Sequence, residues 1–147
     1  MKLKLAYILL ALMAVTFLYL RIRAVPEKAV KSVRIGNTKI LVDVAVTPEA
    51  RAQGLSGRAE LGENEGMLFP MGESQVYAFW MKDMRFPLDI IWIRDGRVAD
   101  ISENIPPPKS GEFPVSVRPR EPINYVLEVN AGFVEKKGIN IGDPVRL

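Results

Sequence analysis

Leu88-Asp89-Ile90-Ile91-Trp92-Ile93-Arg94-Asp95-Gly96-Arg97-Val98-Ala99-Asp100-Ile101-Ser102-Glu103 is the stretch that decides the fold class. Residues 88–94 are rich in β-branched and aromatic side chains, Asp95-Gly96 is a strong two-residue hairpin signal, and residues 97–103 return as a second strand. In the first strand Leu88, Ile90 and Trp92 share one face while Asp89, Ile91 and Ile93 share the other. Both faces are therefore covered, and a carboxylate at Asp89 needs a partner.

Outward from this hairpin, Pro106, Pro107 and Pro108 stop the ladder and favour an extended loop, after which residues 123–129 resume as a strand. Residues 131–137 read as a short helix ended by Gly138, and Gly142-Asp143 turns the chain into a closing strand at residues 145–147. On the N-terminal side residues 75–81 are β-like and residues 67–69 suggest a short strand. Residues 32–35 and 38–46 flank Gly36-Asn37, a tight-turn pair. Ile40, Val42, Val44 and Val46 share one face of the second of these strands, with Leu41, Asp43 and Ala45 opposite. Thr47-Pro48 opens a brief helix, a capping hydroxyl followed by Pro where a missing N–H costs nothing, and Gly54 and Gly57 break it. Strands separated by turn residues, one or two short helices and no crossover helix long enough for a βαβ unit predict a mainly β domain. Its expected form is a small antiparallel sandwich or barrel.

The chain has 147 residues, room for one compact domain. Its net charge of +3 is unevenly placed. Lys2, Lys4, Arg21 and Arg23 flank the start, and from Ala24 onward the body is nearly neutral at −1. Nucleic-acid binding, which needs clustered Lys and Arg, is not expected. Residues 5–20 carry no charge, Pro or Gly. As a helix they span roughly 24 Å, and snorkelling Lys and Arg cover the shortfall against a hydrocarbon core of about 30 Å. A cleavable signal peptide is the rival, but the residues after Leu20 offer no small-x-small site. The expected organisation is an anchor at residues 1–23, a linker at 24–31 and a β-rich domain at 32–147, held to the membrane through residues 5–20. The signal-like start places the domain on the extracytoplasmic side.

The absence of His and Cys removes Ser-His-Asp and Cys-His catalysis and the usual zinc sites, so no metal is expected. No Gly-rich phosphate loop occurs either, and no cofactor is expected.

Several ordered blocks remain: Arg51-x-x-Gly54-Leu55-Ser56-Gly57-Arg58, Gly66-Met67-Leu68-Phe69, Phe79-Trp80-Met81-Lys82, Pro87-Leu88-Asp89-Ile90, Tyr125-Val126-Leu127-Glu128 and Ile141-Gly142-Asp143. Together they resemble domain of unknown function family 192 over essentially residues 33–147. The resemblance implies a compact β-rich domain, often behind an export or anchor segment, with no established activity. Two places depart from its usual pattern: Asp83-Met84 stands where Asn-Thr is usual, and Val129-Asn130-Ala131-Gly132 where Leu-Pro-Ala-Gly is commoner.

The side chains left to carry chemistry are Arg51, Arg58, Trp80, Lys82, Asp89 and Glu128. Lys82 follows Trp80 at strand spacing, on a side shared with Ala78 and Val76; it serves as an amine or base there, or snorkels from the strand end. Asp89 pairs with Arg51 or Lys82, or bonds nearby backbone N–H groups. Glu128 shares a face with Val126 and is open to the same two readings. Trp80, Trp92, Tyr77 and Tyr125 stack on a sugar or pack in the sheet. Three functions compete. The first is a membrane-tethered extracytoplasmic binding or accessory module, for a small molecule, polymer or protein, with its site near Arg51, Trp80, Lys82 and Asp89. The second is a glycosidase- or lyase-type enzyme using Lys82, Asp89 and Glu128 on envelope polymer. The third is a structural interaction domain.

Overall fold

The computed structural model describes residues 31–147. The apolar span at residues 5–20 and the linker through residue 30 lie outside the described residues. Among the described residues no helix is long and apolar enough to cross a membrane.

The hairpin strands β1 (Lys31–Ile35) and β2 (Thr38–Val44) pair antiparallel around Gly36-Asn37, and β1 takes in Lys31, the last residue of the expected linker. α1 (Pro48–Gln53) begins as its sequence dictates, with Thr47 Oγ1 accepting the Ala50 N–H at 3.1 Å. Then follow β3 (Glu65–Gln75), β4 (Phe79–Trp80), β5 (Leu88–Arg94), β6 (Arg97–Ile105), β7 (Ser116–Val117), β8 (Ile123–Asn130), α2 (Phe133–Lys137) and β9 (Val145–Arg146). The Asp95-Gly96 turn joining β5 to β6 has both residues at positive φ, 49° and 74°, the geometry that makes Gly the favoured second residue.

Seven strands form one curled sheet in the order β6-β5-β8-β3-β2-β1-β9, and β4 pairs with β7 in a separate ribbon. The architecture is a mainly β half-barrel with two short helices. It corrects the antiparallel expectation at one point, because β2 and β3 are parallel. A parallel pair needs a long crossover, not a long helix. Residues 45–64 supply the length, and Leu55, 1% exposed, supplies the packing that a helix face would give. Two further boundaries differ. β3 is much longer than the expected strand at residues 67–69, and of residues 75–81 only Phe79 and Trp80 pair as an independent strand. Val46 lies beyond β2 and is exposed.

The curl gives the sheet an inside and an outside. Val33, Ile40, Leu68, Ile91, Ile93, Leu127 and Val145 belong to one cluster although they come from strands at opposite ends of the sheet, so their face is the concave one. Phe133 and Val134 of α2 close its mouth. The convex face carries Met67, Phe69, Ile90, Trp92 and Val126 and is covered by Leu55, Met81, Met84 and the ribbon. Phe79 of the ribbon meets Phe69 and Trp92 edge-on, with ring centroids 5.1 and 5.7 Å apart. The C-terminal segment joins the two sheet edges at one end. Val145 pairs with Ile35 of β1, while Pro144 bridges to Arg97 at the start of β6.

Candidate functional site

Strand register places Asp43, Met67, Glu128 and Ile90 in one row across the convex face, each the direct partner of the next. With strands about 4.8 Å apart, the backbones of Asp43 and Glu128 are separated by roughly 10 Å. Arg58 reaches this row from the crossover, because the loop before it is pinned in place: Leu55 is buried, Ser56 Oγ donates to Lys82 O at 2.7 Å, and the Gly57 N–H donates to Asp83 O at 2.9 Å. Arg58 Nη2 then donates to Asp43 Oδ2 at 2.8 Å. The Gly54–Arg58 and Phe79–Lys82 sequence blocks are thus neighbours in space.

Glu128 is 7% exposed, and its Oε2 is buried with no hydrogen-bond partner. Burial raises the carboxyl to about 8, against the opposing pull of the Arg58 charge. At neutral pH it is mostly a neutral acid, able to donate as well as accept. Gly66 lets β3 come close to β8 here, since a Cβ at that position would sit 2.7 Å from Glu128 O. Beside the row a cleft of about 170 Å³ is lined by Leu41, Asp43, Arg58, Leu61, Glu65 and Gly66. Asn130 fixes its rim by donating through Nδ2 to Leu61 O at 3.0 Å and Gly62 O at 3.1 Å. Among the described residues no His, Cys, Asp and Glu cluster is suited to a metal ion.

Of the residues singled out in the sequence, the structure brings together Arg58 and Glu128, and it adds Asp43. The others go elsewhere. Arg51 Nη1 donates to Val46 O at 2.9 Å and to Pro70 O at 3.4 Å, tying α1 to β3. Trp80 is 60% exposed, and the Lys82 ammonium lies 5.3 Å from its ring centre. Asp89 is fully buried on the concave face, where it accepts the Asn104 N–H at 2.8 Å and the Val134 N–H at 3.0 Å. It caps α2 from outside the helix, in place of Gly132, which has no side chain to do so. The expected site near Arg51, Trp80, Lys82 and Asp89 therefore does not assemble. Nor do Lys82, Asp89 and Glu128 converge: Asp89 pairs with Val129 and Glu128 with Ile90, so the two carboxylates point to opposite faces of the sheet. Trp92 is wholly buried, its Nε1 donating to Ser102 Oγ at 3.0 Å, which leaves it packing the core.

Asp43 was missed as a site residue, although a charged side chain flanked on its own face by Leu41 and Ala45 was a signal for it. The two departures from the family pattern also have visible roles. Met84 fills the convex core, and Asn130 holds the cleft rim.

The family model for uncharacterized ACR, domain of unknown function family 192, matches residues 31–147. The chain belongs to family 192. Two solved structures resemble this family 192 chain, each with a TM-score of 0.73. One is a Sinorhizobium meliloti 1021 protein that carries the provisional label of transcription regulator; it is 36% identical, over 81% of this chain and 94% of that one. The other is a Novosphingobium aromaticivorans DSM 12444 protein of unknown function, 32% identical over 84% of this chain and 89% of that one. No curated protein matches the family 192 chain.

Proposed function

We propose that this family 192 chain is a membrane-tethered, extracytoplasmic binding module whose ligand enters the cleft beside Asp43 and Arg58 and satisfies Glu128. The observation that carries this reading is the unpartnered Oε2 of a buried Glu128. A buried polar atom without a partner costs about 1–3 kcal/mol, so a ligand group that pairs with it recovers that energy on binding. The cleft, about 170 Å³, is below the several hundred Å³ typical of a pocket for a whole cofactor. A small polar molecule or the end of a polymer chain fits it. A guanidinium and the carboxylates of Asp43 and Glu65 line the cleft, with the protonated Glu128 carboxyl buried in the row beside it, a set that suits a ligand offering both donors and acceptors, such as a hydroxyl-rich sugar end. The apolar run at residues 5–20 supports the tether.

The transcription-regulator label of the Sinorhizobium structure is not carried over. Arg58, Arg94, Arg120 and Lys136 are paired with Asp43, Glu121, Asp100 and Glu63, and the body, at −1 from Ala24 onward, carries no net positive charge to hold a nucleic-acid backbone. A thermal-shift screen of the full chain in detergent, using N-acetylhexosamine oligosaccharides, simple polyols and short peptides, tests the proposal. At least one probe is expected to raise Tm by a few degrees, with the shift lost in Glu128→Leu. A shift that survives Glu128→Leu overturns the site. Turnover of a probe that Glu128→Gln abolishes replaces the binding module with an enzyme.

A further inference from the structure

The β4–β7 ribbon has two unlike sides. Phe79 and its cross-strand partner Val117 pack onto the convex core, whereas Trp80 and its partner Ser116 face away from it. The two segments that form and flank the ribbon carry exposed apolar side chains: Trp80 is 60% exposed, Val76 50%, Val115 40% and Phe113 95%. Val115 is held against the ribbon because its carbonyl accepts the Met81 N–H at 2.9 Å, and Phe113 precedes it by two residues. The two segments that build this surface, residues 76–85 and 109–118, carry exposed Lys82, Arg85, Lys109 and Arg118 against Asp83 and Glu112. Lys82 lies over Trp80 itself. Exposed aromatic rings mixed with cations are the combination found at the headgroup level of bilayers, where the ring is half in hydrocarbon and the cation meets lipid phosphate.

We infer that the outward side of this ribbon is a lipid-contacting surface, with Trp80 and Phe113 entering the headgroup layer of an anionic bilayer and Lys82 and Arg118 pairing with its phosphates. The inference rests on the membrane tether, which fixes the occupant. Between the apolar run and β1 stand residues 21–30, which extend at most about 35 Å. A domain of this size has a radius of gyration of about 14 Å, so its diameter nearly equals the tether's reach. Some face must therefore stay close to the bilayer, and this ribbon is the one whose chemistry matches it.

The two tryptophans give a direct test, since Trp92 is wholly buried and Trp80 is exposed. The full chain is reconstituted into vesicles of phosphatidylglycerol and phosphatidylcholine, with and without brominated acyl chains. The Trp80 emission is taken as the difference between wild type and Trp80→Phe. At least twofold quenching of that emission by brominated lipid is expected, together with a blue shift, and both weaken in the Lys82→Glu, Arg118→Glu double variant. Protein that floats with the vesicles while its Trp80 emission is unquenched overturns the lipid surface and keeps the tether. Protein that does not float removes the tether; Trp80 quenching on adding vesicles then still supports the surface, and its absence overturns it. Trp80 emission that follows protein concentration without lipid assigns the patch to a second copy of the chain and overturns the proposal.

Discussion

Two carboxyl groups on adjacent central strands, one step out of register with each other, have opposite fates. Asp89 points to the concave face, is wholly buried, and accepts backbone N–H groups from Asn104 and Val134. Glu128 points to the convex face, is almost as deeply buried, and keeps an oxygen with no partner. Burial alone thus separates nothing; satisfaction does. The concave face is a finished structure whose polar group is consumed in capping a helix. The convex face holds polar capacity in reserve, beside a cleft and an arginine already engaged with Asp43.

The sharpest way to break this contrast is pH. The folded chain holds the Glu128 proton up to about 8, whereas an unfolded chain releases it near 4.5. The stabilisation is fully present below 4.5, falls through the window between those values and is gone above about 8. At 1.36 kcal/mol per pH unit the wild type should lose roughly 4 kcal/mol from pH 5 to pH 9, and Glu128→Gln should lose none of that part. Urea unfolding at several pH values measures it, and parallel curves for the two proteins would remove the contrast.

Next in size, Asp89→Ala should cost about 3 kcal/mol at pH 7, because it strands two buried N–H donors. Asp89→Asn, which keeps one acceptor oxygen, should cost about half as much by the same measurement. The smallest effect is expected from Arg58→Gln. The partly buried pair with Asp43 is worth only about 1 kcal/mol, but losing the Arg58 charge should move the Glu128 titration further upward. Carbon-13 NMR of the Glu128 carboxyl reads that shift, and an unmoved midpoint would separate Arg58 from the site.

How much of this was legible in the sequence depends on how local each signal is. The β5–β6 hairpin, the start of α1, the Gly138 stop of α2 and the closing strand rest on a few contiguous residues, and they form as read. The parallel β2–β3 pair does not show, because a loop can serve as a crossover and Leu55 looks like any apolar loop residue until it is buried. Arg58 and Glu128 could be named from residue type, yet not joined. Their proximity depends on a register spanning three strands and on a loop pinned by Ser56 and Gly57 to a turn distant in sequence. Asp89 was readable as a buried carboxylate, and backbone capping was one of its two open readings. Only the placement of Val134 and Asn104 decides between them.

The bridge made by residues 142–146 between β1 and β6 has a consequence for handling the protein. A curled sheet left open there would present two unpaired strand edges, each a template for pairing with another molecule. Gly142 N–H donates to Val98 O and the Val145 N–H to Gly96 O, so these residues act as a clasp over both edges. Leu147 lies just beyond it and is largely exposed. A reporter or tag appended after Leu147 leaves the clasp shut, whereas a truncation only a few residues deeper turns a clasped half-barrel into a surface primed for aggregation.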